Sequence, residues 1–108
     1  MSVLRSEFDV VATANDGAAA QECIDRYHPD VAVLDIVMPH INGIELTRKL
    51  ARNGNSIKVI VCSVETDEGT IDAAFTAGAS GYVYKPRLTR DLIRAVRLVS
   101  SGHQFKSA

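Results

Sequence analysis

Three short apolar runs each end on a residue suited to phosphate chemistry: Val31 to Leu34 on Asp35, Val59 to Cys62 on Ser63, and Gly81 to Tyr84 on Lys85. A carboxylate is a nucleophile, a hydroxyl donates a hydrogen bond, and an ammonium is a compact positive charge. If the runs are parallel strands of an α/β sheet, their carboxyl ends share one edge and the three groups converge there. Together they can accept, orient and neutralise a phosphoryl group. Taken singly, each has a plainer reading: an aspartate or serine ends a strand or begins a turn, and a lone lysine is ordinarily solvated.

The elements that must position these groups alternate along the chain. Phe8 to Ala12 is β-rich, and Asn15-Asp16-Gly17 turns into a helix with Ala20, Cys23, Ile24 and Tyr27 on one face, closed by Pro29. Val31 to Leu34 is continuously apolar, as expected of a parallel strand covered on both faces. Met38 to Gly43 reads as a loop, and Ile44 to Arg52 as a helix stopped by Asn53-Gly54-Asn55. Ile57 to Cys62 is a second buried strand. Glu68 to Ala77 is a helix with Ile71, Ala74 and Phe75 inward and Gly78 as a left-handed cap. Tyr82 to Tyr84 is the last short strand. Thr89 caps a final helix bearing Leu92, Ile93, Val96 and Val99, which ends near Ser101-Gly102. This order predicts a doubly wound parallel α/β sheet, a single domain over residues 1–108.

Composition narrows the functional classes. The 108 residues are 46% hydrophobic and 23% charged with a net charge of −1, an ordinary globular balance without the dense basic tract that a nucleic-acid backbone requires. Cys23 and Cys62 fall inside apolar patterns without metal-ligand spacing, which favours reduced thiols and a cytoplasmic setting. His28, His40 and His103 share no metal-like spacing either; His40 lies beside the predicted site as a loop residue. The longest apolar run is too short to span a bilayer, and Met1 to Glu7 lacks the layout of a signal peptide, so no membrane partner is expected.

Asp35-Ile36-Val37-Met38-Pro39 followed by Gly43, then Val61-Cys62-Ser63, Gly78-Ala79-Ser80-Gly81-Tyr82 and Lys85-Pro86, closely resemble the receiver domain of two-component response regulators. The GASGY stretch and the closing Ala95-Val96-Arg97 helix are most similar to receivers that precede a helix-turn-helix output domain, through which alone DNA would be a partner. The resemblance implies a flavodoxin-like fold and a phospho-accepting Asp35 served by a sensor histidine kinase. It implies a Lys85 that pairs with Asp35 or with phosphoryl oxygens, and a Ser63 hydroxyl that bonds the phosphoryl group. Tyr82 takes the place of an aromatic switch, although a plain strand aromatic fits it equally well. The Lys85–Pro86 bond is cis by resemblance, and Val64, bulkier than the family's usual residue, narrows access to the site. The implied activity is that of a signalling switch that gains and loses a phosphoryl group, not of a turnover enzyme.

One part of the pattern is missing. Receivers begin with a strand and an acidic pair that holds Mg2+ together with the phospho-acceptor and a backbone carbonyl, here Asp35 and Val37. Met1 to Arg5 instead aligns with the tail of the first helix, and Glu7, Asp9 and Asp16 do not follow a leading buried strand. The expected fold therefore lacks its first strand and most of its first helix, with Mg2+ weakly held or absent. Loss of the central strand leaves two neighbours without partners, unless Phe8 to Ala12 moves beside Val31 to Leu34 or another chain completes the sheet. It also leaves Leu92, Val96 and Val99 partly uncovered, a stripe that favours a homodimer. The alternative function is a degenerate, unphosphorylated receiver that serves as a protein interaction or dimerisation module.

Overall fold

The computed structural model describes residues 2–5, 9–13, 30–36, 42–52, 57–65 and 67–107, the first two segments by their backbone. In chain order they form β1 (Ser2–Arg5), β2 (Asp9–Thr13), β3 (Val31–Asp35), α1 (Gly43–Arg52), β4 (Lys58–Ser63), α2 (Glu68–Ala77), β5 (Gly81–Tyr84), a 3-10 turn (Lys85–Arg87), α3 (Leu88–Ser100) and β6 (Phe105–Lys106). The helix predicted around Ala20 to Tyr27, the loop Met38 to Ile41 and the stop at Asn53 to Asn55 lie outside the described residues.

One sheet runs β1-β2-β3-β4-β5-β6. Strands β2 to β6 are parallel, while β1 runs antiparallel to β2 with Val3 opposite Val11. The β-rich segment after Phe8 thus pairs with β3, Val11 opposite Ala32, and fills the place in which a central strand was expected to be missing. Of the completions left open, the move of this strand beside β3 is the one realised, and one expectation is corrected. Strand β3 has a neighbour on each side, so the ladder closes. Residues Ser2 to Arg5 are a strand and not the tail of a helix: an antiparallel pair needs only a tight connection, and three residues separate β1 from β2.

Side chains alternate across the sheet with period two and divide the core into two layers. Ala32, Leu34, Val59, Val61 and Tyr82 meet Leu46 and Leu50 of α1 and Ile71 and Ala74 of α2 on one face. On the other face Val31, Val33, Ile60, Cys62 and Val83 meet Ala95, Val96 and Val99 of α3. The apolar run of β3 is buried on both faces, as its unbroken sequence demands. The stripe expected to be uncovered is not: Val96 and Val99 are buried and Leu92 packs against the same cluster, because β3, β4 and β5 pass beneath α3. The outer side of α3 shows only Ile93, 48% exposed, as a large apolar side chain.

Helix ends follow local chemistry. The Asp67 carboxylate caps α2, accepting from the Thr70 amide at 3.0 Å and from its hydroxyl at 3.0 Å. At the other end Gly78 adopts φ 117°, a conformation that a Cβ makes costly. Helix α3 differs from expectation in its start: Thr89 does not cap it, because the 3-10 turn leads straight into Leu88, whose amide donates to the Lys85 carbonyl.

Candidate functional site

Parallel pairing brings the predicted residues to one edge. Asp35 ends β3 opposite Cys62, and Ser63 ends β4 opposite Tyr84, the residue before Lys85. The Lys85 ammonium lies 2.7 Å from Asp35 Oδ1; the carboxylate side chain is nearly buried, whereas the lysine side chain is 42% exposed. A charge-assisted contact of this length orients the carboxylate, and the wet end of the lysine keeps the pair's net contribution to stability modest. The Lys85–Pro86 bond is trans, which corrects the cis expectation. Pro86 sits in the first turn of the 3-10 segment, where its fixed φ and missing amide cost nothing, and Lys85 reaches Asp35 without the isomer.

Close approach of backbone fixes Asp35 from behind. The Gly43 amide donates to the Ile36 carbonyl at 2.8 Å, drawing the start of α1 against the end of β3. A Cβ on Gly43 would stand 2.9 Å from the Asp35 carbonyl carbon and 3.1 Å from Ile36 Cα, nearer still to the Asp35 carbonyl oxygen. Buried Thr47 tightens the same turn by donating its hydroxyl to the Gly43 carbonyl at 2.7 Å. The glycine of the sequence pattern is therefore a contact requirement of the aspartate's backbone.

Ser63 and Tyr82 are linked through one residue of the loop between β4 and α2. The Glu65 amide donates to Ser63 Oγ at 3.0 Å, and the Tyr82 hydroxyl donates to the Glu65 carbonyl at 2.9 Å. Tyr82 is 1% exposed, its ring within the α1–α2 layer, so the aromatic predicted as a switch points inward here. Burial pushes the Tyr82 phenol above its ordinary pKa, partly offset by the neighbouring Ser63 hydroxyl. Val64, between Ser63 and Glu65, is 63% exposed at the rim of this edge.

Cys62 lies buried on the opposite layer, and burial together with the Asp35 charge pushes its thiol up to about 12, only partly offset by Lys85. It is an inert part of the core at neutral pH.

Among the described residues magnesium finds few ligands. Val37, whose carbonyl was expected to bind it, lies outside the described residues, as does His40. Among the described residues no group of three His, Cys, Asp or Glu side chains could hold a metal, and one oxygen of Asp35 already faces an ammonium. The described residues do not by themselves make a magnesium site.

Sequence reasoning missed three polar residues that the structure uses: the cap Asp67, and the pair Asp91 and Ser107. An aspartate just before an apolar-periodic run is a recognisable cap signal, so Asp67 was findable. Asp91 reads locally as a first-turn acid, and no local pattern ties it to a serine sixteen residues later.

The profile of the response regulator receiver domain matches residues 2–97. The chain is 41% identical over 102 residues to the transcriptional regulatory protein DegU of Brevibacillus brevis, covering 94% of this chain and 43% of that protein. It is 43% identical over 100 residues to the transcriptional activator DevR/DosR of Mycobacterium tuberculosis, covering 92% and 46%. It thus spans about half the length of these regulators. Among solved structures, the signal receiver domain of the response regulator NarL from Mycobacterium tuberculosis superposes with TM-score 0.77 at 30% identity, over 82% of this chain and 71% of that one. No helix among the described residues is long and apolar enough to cross a membrane. On the profile match, the relatives and the shared fold, the chain belongs to the family of response regulator receiver domains.

Proposed function

We propose that Asp35 accepts a phosphoryl group from a phosphohistidine on a sensor kinase, making this chain a two-state signalling switch and not a turnover enzyme. One observation carries the reading: the Lys85 ammonium at 2.7 Å from the nearly buried Asp35 carboxylate, at the shared carboxyl edge of β3, β4 and β5. In the transfer an Asp35 carboxylate oxygen attacks phosphorus, an oxygen–phosphorus bond forms, and the nitrogen–phosphorus bond to the donor imidazole breaks with the electron pair leaving on nitrogen. Lys85 then pairs with phosphoryl oxygens instead of the bare carboxylate. Ser63 rotates from the Glu65 amide to donate to the phosphoryl group. Glu65 also holds the Tyr82 hydroxyl, so that exchange bears on the buried ring. A bistable element biased by a local charge is the physical content of such a switch.

Because the relatives extend to about twice this length and are named as transcriptional regulators, the reading includes a DNA-binding output segment that the switch controls in the cytoplasm. The test is incubation with acetyl phosphate and magnesium, followed by intact mass measurement of the chain and of Asp35→Asn. The expected result is a single phosphate adduct on the parent chain and none on the variant. No adduct, or one that persists in Asp35→Asn, overturns the assignment and leaves an unphosphorylated interaction module as the better account.

A further inference from the structure

We infer that residues 103–107 form a latched strap, a separable strand that closes the free edge of β5 and is held there by Asp91 and Ser107. The strap meets three backbone groups, on Ser80 and on Tyr82 and Tyr84 of β5. The Phe105 amide donates to the Ser80 carbonyl at 3.1 Å and the Ser107 amide to the Tyr82 carbonyl at 3.0 Å, while the Tyr84 amide donates to Ser107 Oγ at 3.1 Å. Without the strap these groups are an open strand edge, able to pair with another extended segment.

The latch is a short chain of hydrogen bonds. Ser107 Oγ accepts from Tyr84 and donates to Asp91 Oδ2 at 2.8 Å, and the other Asp91 oxygen accepts from Arg90 Nε at 3.1 Å. Asp91 is buried in the first turn of α3, and the Ser107 hydroxyl beside it, with Arg90 next, holds its carboxyl below the ordinary carboxylate range.

Topology sets the strap apart from the rest of the sheet. The connections β3-α1-β4 and β4-α2-β5 step across the sheet in one direction with both helices on one face. The connection β5-α3-β6 steps the same way with its helix on the opposite face, so it has the opposite hand. Parallel crossovers hold one hand in about 98% of cases. A two-residue strand placed against that preference is kept by its own bonds, chiefly the latch, and by Phe105 packed beside the α3 layer. The chain enters it through a closed stop at Gly102, φ 90°, where the His103 amide donates to the Leu98 carbonyl at 2.9 Å; this fixes the hinge about which the strap would swing.

The strap borders the switch. Lys106 and Ser107 line a groove of about 520 Å³ together with Tyr82, Tyr84, Glu65 and Arg87, so the strap's position sets how open β5 is beside Tyr82 and Tyr84. The inference holds whether or not Asp35 takes a phosphoryl group.

The test is NMR-detected amide hydrogen exchange on the full chain, comparing parent, Ser107→Ala, Ser107→Thr and Asp91→Asn. Removing a hydrogen bond to a charged group should speed exchange of the Phe105 and Ser107 amides by about ten- to a hundred-fold. Val33 and Ile60 should hold parent protection, and Ser107→Thr, which keeps the hydroxyl, should restore the strap. Unchanged Phe105 and Ser107 protection in Ser107→Ala overturns the latch. An equal loss at Val33 and Ile60 overturns the strap as a separable unit. If Asp91→Asn fails to fold, the serine pair alone carries the decision.

Discussion

Replacing Gly43 by alanine should damage the fold although it adds a better helix former. The new Cβ would lie 2.9 Å from the Asp35 carbonyl carbon and 3.1 Å from Ile36 Cα, against about 3.5–4.0 Å for relaxed carbon contacts. Every opposing atom is backbone, so no side chain can rotate away, and the start of α1 must retreat from β3 by about 1 Å. Retreat also strains the 2.8 Å bond from the Gly43 amide to the Ile36 carbonyl. Overpacking costs about 1–3 kcal/mol and a weakened hydrogen bond about 1 kcal/mol, so the expected loss is about 2–4 kcal/mol. Gly69→Ala is the internal contrast. Its Cβ meets only the Asp67 side chain, 3.3 Å from the carboxylate oxygen that caps α2, so the gain in helix propensity is offset by pressure on the cap and the net change should stay within about 1 kcal/mol. Urea unfolding followed by circular dichroism reads both as shifts of midpoint at constant slope. A Gly43→Ala midpoint at or above the parent's would refute the reasoning, because propensity would then outweigh the backbone contact.

Two further outcomes are expected. Lys85→Met removes the ammonium from Asp35 while keeping most of the stem. Because the lysine is 42% exposed and its charge screened, stability should fall by only about 1 kcal/mol, whereas phosphate labelling by acetyl phosphate should drop at least about ten-fold; a large stability loss with unchanged labelling would reverse the roles assigned to the pair. Cys62, with its thiol pushed up to about 12, should resist iodoacetamide at pH 8 until the chain unfolds. The sign follows from the raised folded value: the buried thiol's contribution is complete below the unfolded thiol's pKa and is lost as pH rises from about 9 toward 12, so urea midpoints should decline more steeply across that window than in Cys62→Ala, where the raised Tyr82 phenol still contributes.

Much of the site was legible before the fold. The unbroken apolar runs before Asp35 and Ser63 could hardly be anything but strands buried on both faces, and a parallel sheet forces their carboxyl ends together. Helix α2 was readable to the residue, with Ile71 and Ala74 inward and Gly78 left-handed, because each rests on short-range periodicity or a local backbone demand. Ser2 to Arg5 was misread because four residues carry no periodicity, and strand or helix was decided by an available partner in β2. Strand β6 escaped notice for the same reason, with two residues held by the Phe105 amide on Ser80 and by the bonds of the following Ser107 to Tyr82 and Asp91.

The sequence by itself determined which groups stand at the sheet edge, since strand ends and side-chain alternation are local properties with fixed periods. Tertiary structure alone decided how the sheet is completed, with β2 beside β3 and the α3 stripe covered. It also decided that Lys85 reaches Asp35 across a trans proline, that Tyr82 lies inward on the Glu65 carbonyl, and that Asp91 latches a strap sixteen residues away. Those outcomes depend on pairings between distant segments, whose free energy is set by what else packs nearby and not by any window of residues.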